Sequence, residues 1–359
     1  MSVGKLPYSR NCRKSAAKIG VHHVKISRVK QIIAIQGHYG LYLRFQIALF
    51  MISRRNIRVK VMQCLYAVET GSGEFTEKEA ISLLKKYLEQ TENLFLFCIL
   101  LITEVTRYAE RDSLLKAGKH LPSEKDLNVN TKISGNEVVS RIVASSGFSQ
   151  AIKDRKLERL VDLELVKKIY SELTESEPYL TYVSSPERDK KSEKEILAYI
   201  FTDLMMADDA ITDAIEERFI DWDDDAEMIY QMVLNFLSKP ETLDTKEIIG
   251  RDKTQYAHTL LKTAIDKKEF TLELIKPKLK NWDPDRIALL DMIMIRLGVC
   301  ELLYFETIPT KVTINEYIDL AKSYSTQQSG QFVNGILDSI HKELLAEGKL
   351  KKIDFKKQA

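Results

Sequence analysis

IPTKVTINEYIDLAKSYSTQQSGQFVNGILDSI, residues 308–340, carries two helical periods separated by a polar break. Pro309 blocks a helix ahead of it, Thr313 and Glu316 match a capping box, and Ile314, Ile318 and Ala321 recur at helical spacing. This predicts an amphipathic helix with Asn315, Asp319 and Lys322 on its polar side. Ser323 to Gly330 loses the apolar period and reads as a polar loop or frayed helix end. Val333, Ile336, Leu337 and Ile340 then make the stripe of a second helix, in which Gly335 is expected to admit a neighbouring backbone.

Within this stretch Ile308, Pro309, Lys311, Val312, Ile314, Asn315, Glu316, Ile318, Leu320, Ala321 and Lys322 are followed, after the polar break, by Phe332, Val333, Asn334, Gly335, Leu337 and Asp338. Upstream stand Trp282, Arg286, Leu290, Asp291, Arg296, Glu301 and Leu302, and earlier Arg54, Arg55, Arg58, Gln63, Leu65 and Tyr66. In order and separation these residues resemble the NusB family of bacterial transcription antitermination factors, over roughly 51–68 and 253–340. The long middle of the chain is unaccounted for by the resemblance.

Glycine and proline are scarce, 14 and 8 in 359 residues, and runs of Leu, Ile, Lys and Glu are long, which argues for an all-α chain with few tight turns. Cys12, Cys64, Cys98 and Cys300 show no C-x-x-C spacing and read as reduced core residues of a cytoplasmic protein. The apolar run Leu94–Ile102 is too short to span a bilayer and is expected to be a buried helix. The formal charge of +2 hides a division: residues 1–50 hold nine Lys or Arg and no acid, leaving 45 basic against 52 acidic residues in 51–359, a balance of −7. A body of that sign does not attract nucleic acid as a whole, so any RNA contact must be a local patch or come through a partner.

The organisation expected is a NusB-like helical bundle module with an inserted helical region. Residues 1–50 are a basic extension, read as untranslated, as an RNA-binding arm or as a targeting peptide. Residues 51–72 hold the module's first helix, capped by Ser53 and ending at Gly71, 73–250 the expanded region, 251–345 the C-terminal bundle and 346–359 a basic tail. Thr76 with Glu79 opens a long helix with a break expected near Asn93, and Ser192 with Glu195 caps a helix after the charged linker 184–195. His120 sits in a loop without a partner at ligand spacing. The acids Asp221, Asp223, Asp224, Asp225 and Glu227 lack the EF-hand pattern and suit a helix N-terminus, and Met205, Met206, Met228 and Met232 suit core filling. No metal or cofactor is expected.

Three arginines, Arg54, Arg55 and Arg58, crowd the first turns of a helix, where the macrodipole disfavours positive charge by about 0.3–1 kcal/mol each. They suit either a solvated face or phosphate contact. Phe332 suits a core position, being four residues before Ile336, or a ring for base stacking beside a polar loop, and Gln328, Gln331 and Asn334 supply amides for base edges. The resemblance implies the RNA-facing reading: a boxA-like single-stranded RNA bound together with the ribosomal protein NusE, inside an RNA polymerase antitermination complex acting on ribosomal RNA operons. It further implies that Tyr66 and Asp291 contact NusE, and at Gln328 the family often carries an acid. Two other readings compete. One is a protein scaffold that has lost RNA binding. The other is an accessory to ribosomal RNA processing or methylation, against which stands the lack of a Gly-rich strand-to-helix loop. The chain is expected not to be an enzyme.

Overall fold

The computed structural model describes residues 52–71, 75–240, 248–279, 287–326 and 328–353, and every regular element among them is helical. The basic extension 1–50, with Cys12, and Trp282, Arg286 and the end of the basic tail lie outside the described residues. Helix α1 (Arg54–Thr70) opens at Ser53, whose Oγ accepts the Asn56 N–H at 3.2 Å, and closes at Gly71. Helix α2 (Glu77–Ala117) carries the capping box read at its start: the Thr76 N–H donates to the Glu79 carboxylate at 2.8 Å and the Glu79 N–H to Thr76 Oγ1 at 3.3 Å. It runs on through Asn93, where a break was expected. There the amide oxygen accepts a hydrogen bond from Arg155 at 2.7 Å, so the residue is spent outside the helix and does not interrupt it.

The chain divides into two compact units, and the division falls inside α2, after Leu88. Its first turns, expected in the inserted region, pack with α1: Ala80 is buried and its carbonyl lies 3.3 Å from Cys64 Sγ. Residues 89–249 form a unit of their own, with the rest of α2 and helices α3 (Glu124–Leu127), α4 (Glu137–Ala144), α5 (Ser146–Asp154), α6 (Leu163–Glu175), α7 (Glu177–Ser184), α8 (Lys190–Tyr199), α9 (Asp209–Arg218) and α10 (Trp222–Ser238). The Leu94–Ile102 run is its buried core, where Phe95 meets Phe236 edge-on at 5.9 Å and Phe97 meets Phe219 at 5.2 Å.

Two local expectations change in this unit. Helix α8 is capped not by Ser192 but by Asp189, whose carboxylate accepts the Lys191 and Ser192 N–H groups, both at 3.1 Å, and the charged linker shrinks to residues 185–189. The acidic run does open a helix: Asp223, Asp224 and Asp225 fill the first turn of α10, where the macrodipole favours them, and Asp225 accepts a hydrogen bond from Thr91 at 2.6 Å. Met205, Met206 and Met232 are buried and Met228 is half-buried, as core filling requires. Among the described residues no group of His, Cys, Asp and Glu is placed to hold a metal ion, and no helix is long and apolar enough to cross a membrane.

The other unit joins α1 and the start of α2 to α11 (Arg251–Asp266), α12 (Lys268–Ile275), α13 (Leu289–Tyr304), α14 (Thr310–Tyr324) and α15 (Ser329–Ala346). Helix α13 is its axis, packed by α1, α11, α12, α14 and α15. Ile293, Met294, Ile295, Leu297, Val299, Cys300 and Leu302 are fully hidden, as befits a helix apolar on every side. The close approach expected at Gly335 occurs at Gly298 instead: a Cβ there would sit 2.8 Å from a Leu337 methyl and 3.3 Å from the Tyr317 ring, whereas nothing lies within 4 Å of one at Gly335. Burial pushes the Cys64, Cys98 and Cys300 thiols up to about 12, so they stay neutral, and none is in a disulfide. Lys352, in the expected basic tail, donates to the carbonyls of Glu301 at 3.0 Å and Phe305 at 2.7 Å, satisfying the C-terminal end of α13.

The Thr313–Glu316 capping box does not form. Helix α14 begins at Thr310, directly after Pro309, so Thr313 lies inside it and buried, with its hydroxyl turned to Glu301. The reciprocal cap sits one helix later. The Thr326 N–H donates to Ser329 Oγ and the Ser329 N–H to Thr326 Oγ1, both at 3.2 Å, which starts α15 at Ser329 and shortens the expected break of 323–330 to residues 325–328.

Candidate nucleic-acid interface

Glu301 is a carboxylate in an otherwise apolar part of α13, and such a group must be paired to be buried. Arg58 supplies the charge. Its Nε and Nη2 reach the two Glu301 oxygens at 2.9 and 3.1 Å in a two-pronged pair, Thr313 donates at 2.8 Å, and the Tyr256 hydroxyl donates as well. Burial, helped by the Glu301 charge, holds Tyr256 well above the ordinary phenol range, so its hydroxyl stays a donor. Arg58 is 2% exposed. The expectation that it contacts phosphate is therefore corrected: its guanidinium belongs to the core.

Arg54 and Arg55 remain at the surface. The Arg54 guanidinium lies 5.6 Å from the centre of the Tyr256 ring, and Arg55 Nη1 lies 3.8 Å from Glu316 Oε2 with its side chain 40% exposed. Helix α1 has no acid in its first turn, so both cations add to the positive end of its dipole. Tyr66, later in α1, is half-buried.

At the start of α15 the predicted residues divide by helical phase. Gln328, Gln331 and Asn334 are exposed, while Phe332 is 6% exposed and takes its place with Val333, Ile336 and Leu337 in the core. The expected stacking ring is thus a packing residue in this structure. Asp291, expected at a partner surface, is turned inward: it is buried, and its Oδ2 accepts the Ser329 hydroxyl at 2.7 Å. Among the described residues its Oδ1 has no hydrogen-bond partner. Burial raises the Asp291 carboxyl above the ordinary range, opposed by hydrogen bonds from Ser329 and Ser325.

A raised native pKa means that the folded chain binds this proton more tightly than the unfolded chain. Stability from Asp291 is then greatest below the ordinary carboxylate pKa of about 3.9 and falls as pH rises through the native value. Asp291→Asn is expected to flatten that fall, with urea midpoints measured from pH 4 to 7 as the check. A variant keeping the full slope places the titration elsewhere.

The cationic start of α1 and the amide start of α15 meet α13 at separate points. Arg58 meets α13 at Glu301 and Ser329 meets it at Asp291, ten residues apart, or about 15 Å of helix rise. Helix α14 bridges the interval, with Glu316 beside Arg55 and Lys322 against Gly330, where a Cβ would meet Lys322 Cγ at 2.7 Å. Sequence reasoning missed Tyr256 and also Glu316, which it read as a cap. An acid at Glu301 amid an apolar stretch of helix was the available signal that α13 needed a buried cation.

Comparison with known proteins bears on the same residues. The NusB family model matches residues 220–342, so it takes in α10, upstream of the point at residue 253 where the resemblance was read to resume. The Transcription antitermination protein NusB of Methylacidiphilum infernorum is 48% identical over 83 residues, 23% of this chain and 58% of that protein. The protein of the same name from Salinibacter ruber is 40% identical over 130 residues, 31% of this chain and 81% of its own length, and that from Listeria monocytogenes serotype 4b is 33% identical over 115 residues, 32% and 88%. No solved structure matches the chain. With most of the length of two such relatives aligned on its helices, the chain belongs to the NusB family.

Proposed function

We propose that this chain acts in transcription antitermination, binding a boxA-like single-stranded RNA together with the ribosomal protein NusE inside an RNA polymerase antitermination complex on ribosomal RNA operons. The observation that carries the RNA reading is the exposed set Gln328, Gln331 and Asn334 at the first turns of α15, in a unit whose α1 presents Arg54 and Arg55 to solvent. Amides read the edges of unpaired bases and guanidinium groups neutralise phosphates. Tyr66, half-buried on α1, offers a ring edge to NusE, while Asp291 acts on that partner only by fixing the start of α15 through Ser329. The NusB family is non-catalytic and the chain is not an enzyme.

A scaffold that has lost RNA binding is the second reading, favoured by the burial of Arg58 and Phe332. Fluorescence anisotropy with a boxA-like RNA, with and without NusE, separates the two. The RNA reader binds the strand, binds it more tightly with NusE, and loses affinity steeply with salt. Arg55→Ala is expected to lower the slope of log K against log salt by about 0.7, the value of one single-strand phosphate contact. Binding to NusE with no RNA binding in either mixture establishes the scaffold, and an unchanged slope in the variant removes Arg55 from the interface.

A further inference from the structure

Glu316 Oε2 stands between two arginines of unequal freedom. Arg58 Nη1 is 3.3 Å away on a side chain 2% exposed and already locked to Glu301, whereas Arg55 Nη1 is 3.8 Å away on a side chain 40% exposed. The Glu316 side chain is 29% exposed while its Oε2 is covered, beneath the more exposed of the two arginines that pair with it. From this geometry we infer that Glu316 restrains RNA affinity: it holds Arg55 in an ion pair that an incoming phosphate must displace, and buried Arg58 keeps the carboxylate from swinging clear. The inference rests on the RNA-binding reading above.

Three physical points support it. The Arg55–Glu316 contact is an ion pair without a hydrogen bond, and a phosphate competes with the carboxylate for the charge of the same guanidinium, so the pair present in the free protein is subtracted from the affinity of the complex. Glu316 is also retained when Arg55 leaves, because Arg58 compensates its charge from below, so the bound RNA faces a fixed negative group. Displacement of the pair alters no phosphate count, and the salt slope is therefore unaffected by Glu316. Asp319, one turn further along α14, supplies the internal comparison: it is 57% exposed and pairs with Lys322 at 3.3 Å, so it shares the helix and the charge without the arginine.

The test measures the affinity of the full chain for a boxA-like single-stranded RNA, with NusE present, across a salt series. Glu316→Gln is expected to tighten binding about two- to fivefold at unchanged slope, the range that an exposed pair spans. In the Arg55→Ala background the same change is expected to give no gain, and Asp319→Asn in the wild-type background less than Glu316→Gln. Equal gains with and without Arg55, equal gains from Asp319→Asn, or no gain while Arg55→Ala still weakens binding would each overturn the inference and leave RNA binding standing. Absence of RNA binding by every variant overturns the RNA reading and the inference with it. Glu316→Asp, which shortens the reach to an arginine already 3.8 Å away, gives the same reading at smaller size should the glutamine variant melt early.

Discussion

Arg58→Ala is expected to lower the stability of the unit built on α13 by about 3–5 kcal/mol, because it leaves the Glu301 carboxylate buried with no cation against it. The other donors to that carboxylate, Thr313 and Tyr256, are neutral hydroxyls, which satisfy its lone pairs without compensating its charge. Glu316 would lose its inner partner at the same time. Urea unfolding followed by circular dichroism gives the total loss, and hydrogen exchange of the α13 and α14 amides gives its location. Arg58→Lys is expected to recover only part, since an ammonium cannot span both oxygens as the guanidinium fork does. Arg58→Ala and Glu301→Ala combined should cost less than the sum of the two, since the second change removes the stranded charge. A stable Arg58→Ala protein whose only loss is RNA affinity would reverse the assignment and return Arg58 to the phosphate surface.

The buried pair also explains why the chain's architecture was more legible than its site. Helical periods such as Ile293, Leu297 and Leu302 depend only on which residues avoid water, and that preference is written in the residue types themselves. The all-α class followed from it, and the caps at Ser53 and Thr76 followed from equally local motifs. The failures share another origin. Thr313, Glu316 and Arg58 are polar residues whose partners lie on other helices, and local spacing assigned each to the nearest local motif or to solvent. Tertiary pairing took Thr313 away from the cap and placed the start of α14 at Thr310. Helix α10 was missed as family sequence for a related reason: its acids and apolar stripe suit any capped amphipathic helix, so nothing in them singles out a family.

Phe332→Ala carries the second large effect, an expected loss of about 3–5 kcal/mol from the cavity left where the ring packs beside Val333 and Ile336. Phe332 is 6% exposed, so a base reaches the ring only if the start of α15 opens. Opening would have to break the Thr326–Ser329 cap and the Ser329–Asp291 hydrogen bond, both of which hold the first turn of α15 in place. The exposed neighbour Gln331 provides the contrast. Gln331→Ala is expected to weaken RNA binding without moving the urea midpoint, since its side chain lies on the solvent side of the same turn. Phe332→Leu, which retains most of the apolar volume, is expected to restore most of the stability lost by alanine. The opposite pattern is equally readable: if Phe332→Ala leaves the midpoint unchanged and lowers RNA affinity by about 1–3 kcal/mol, the ring is a stacking platform and the closed start of α15 is not the state that meets RNA. Packing and stacking thus make opposite demands on one side chain, and the two measurements on the same variant decide between them.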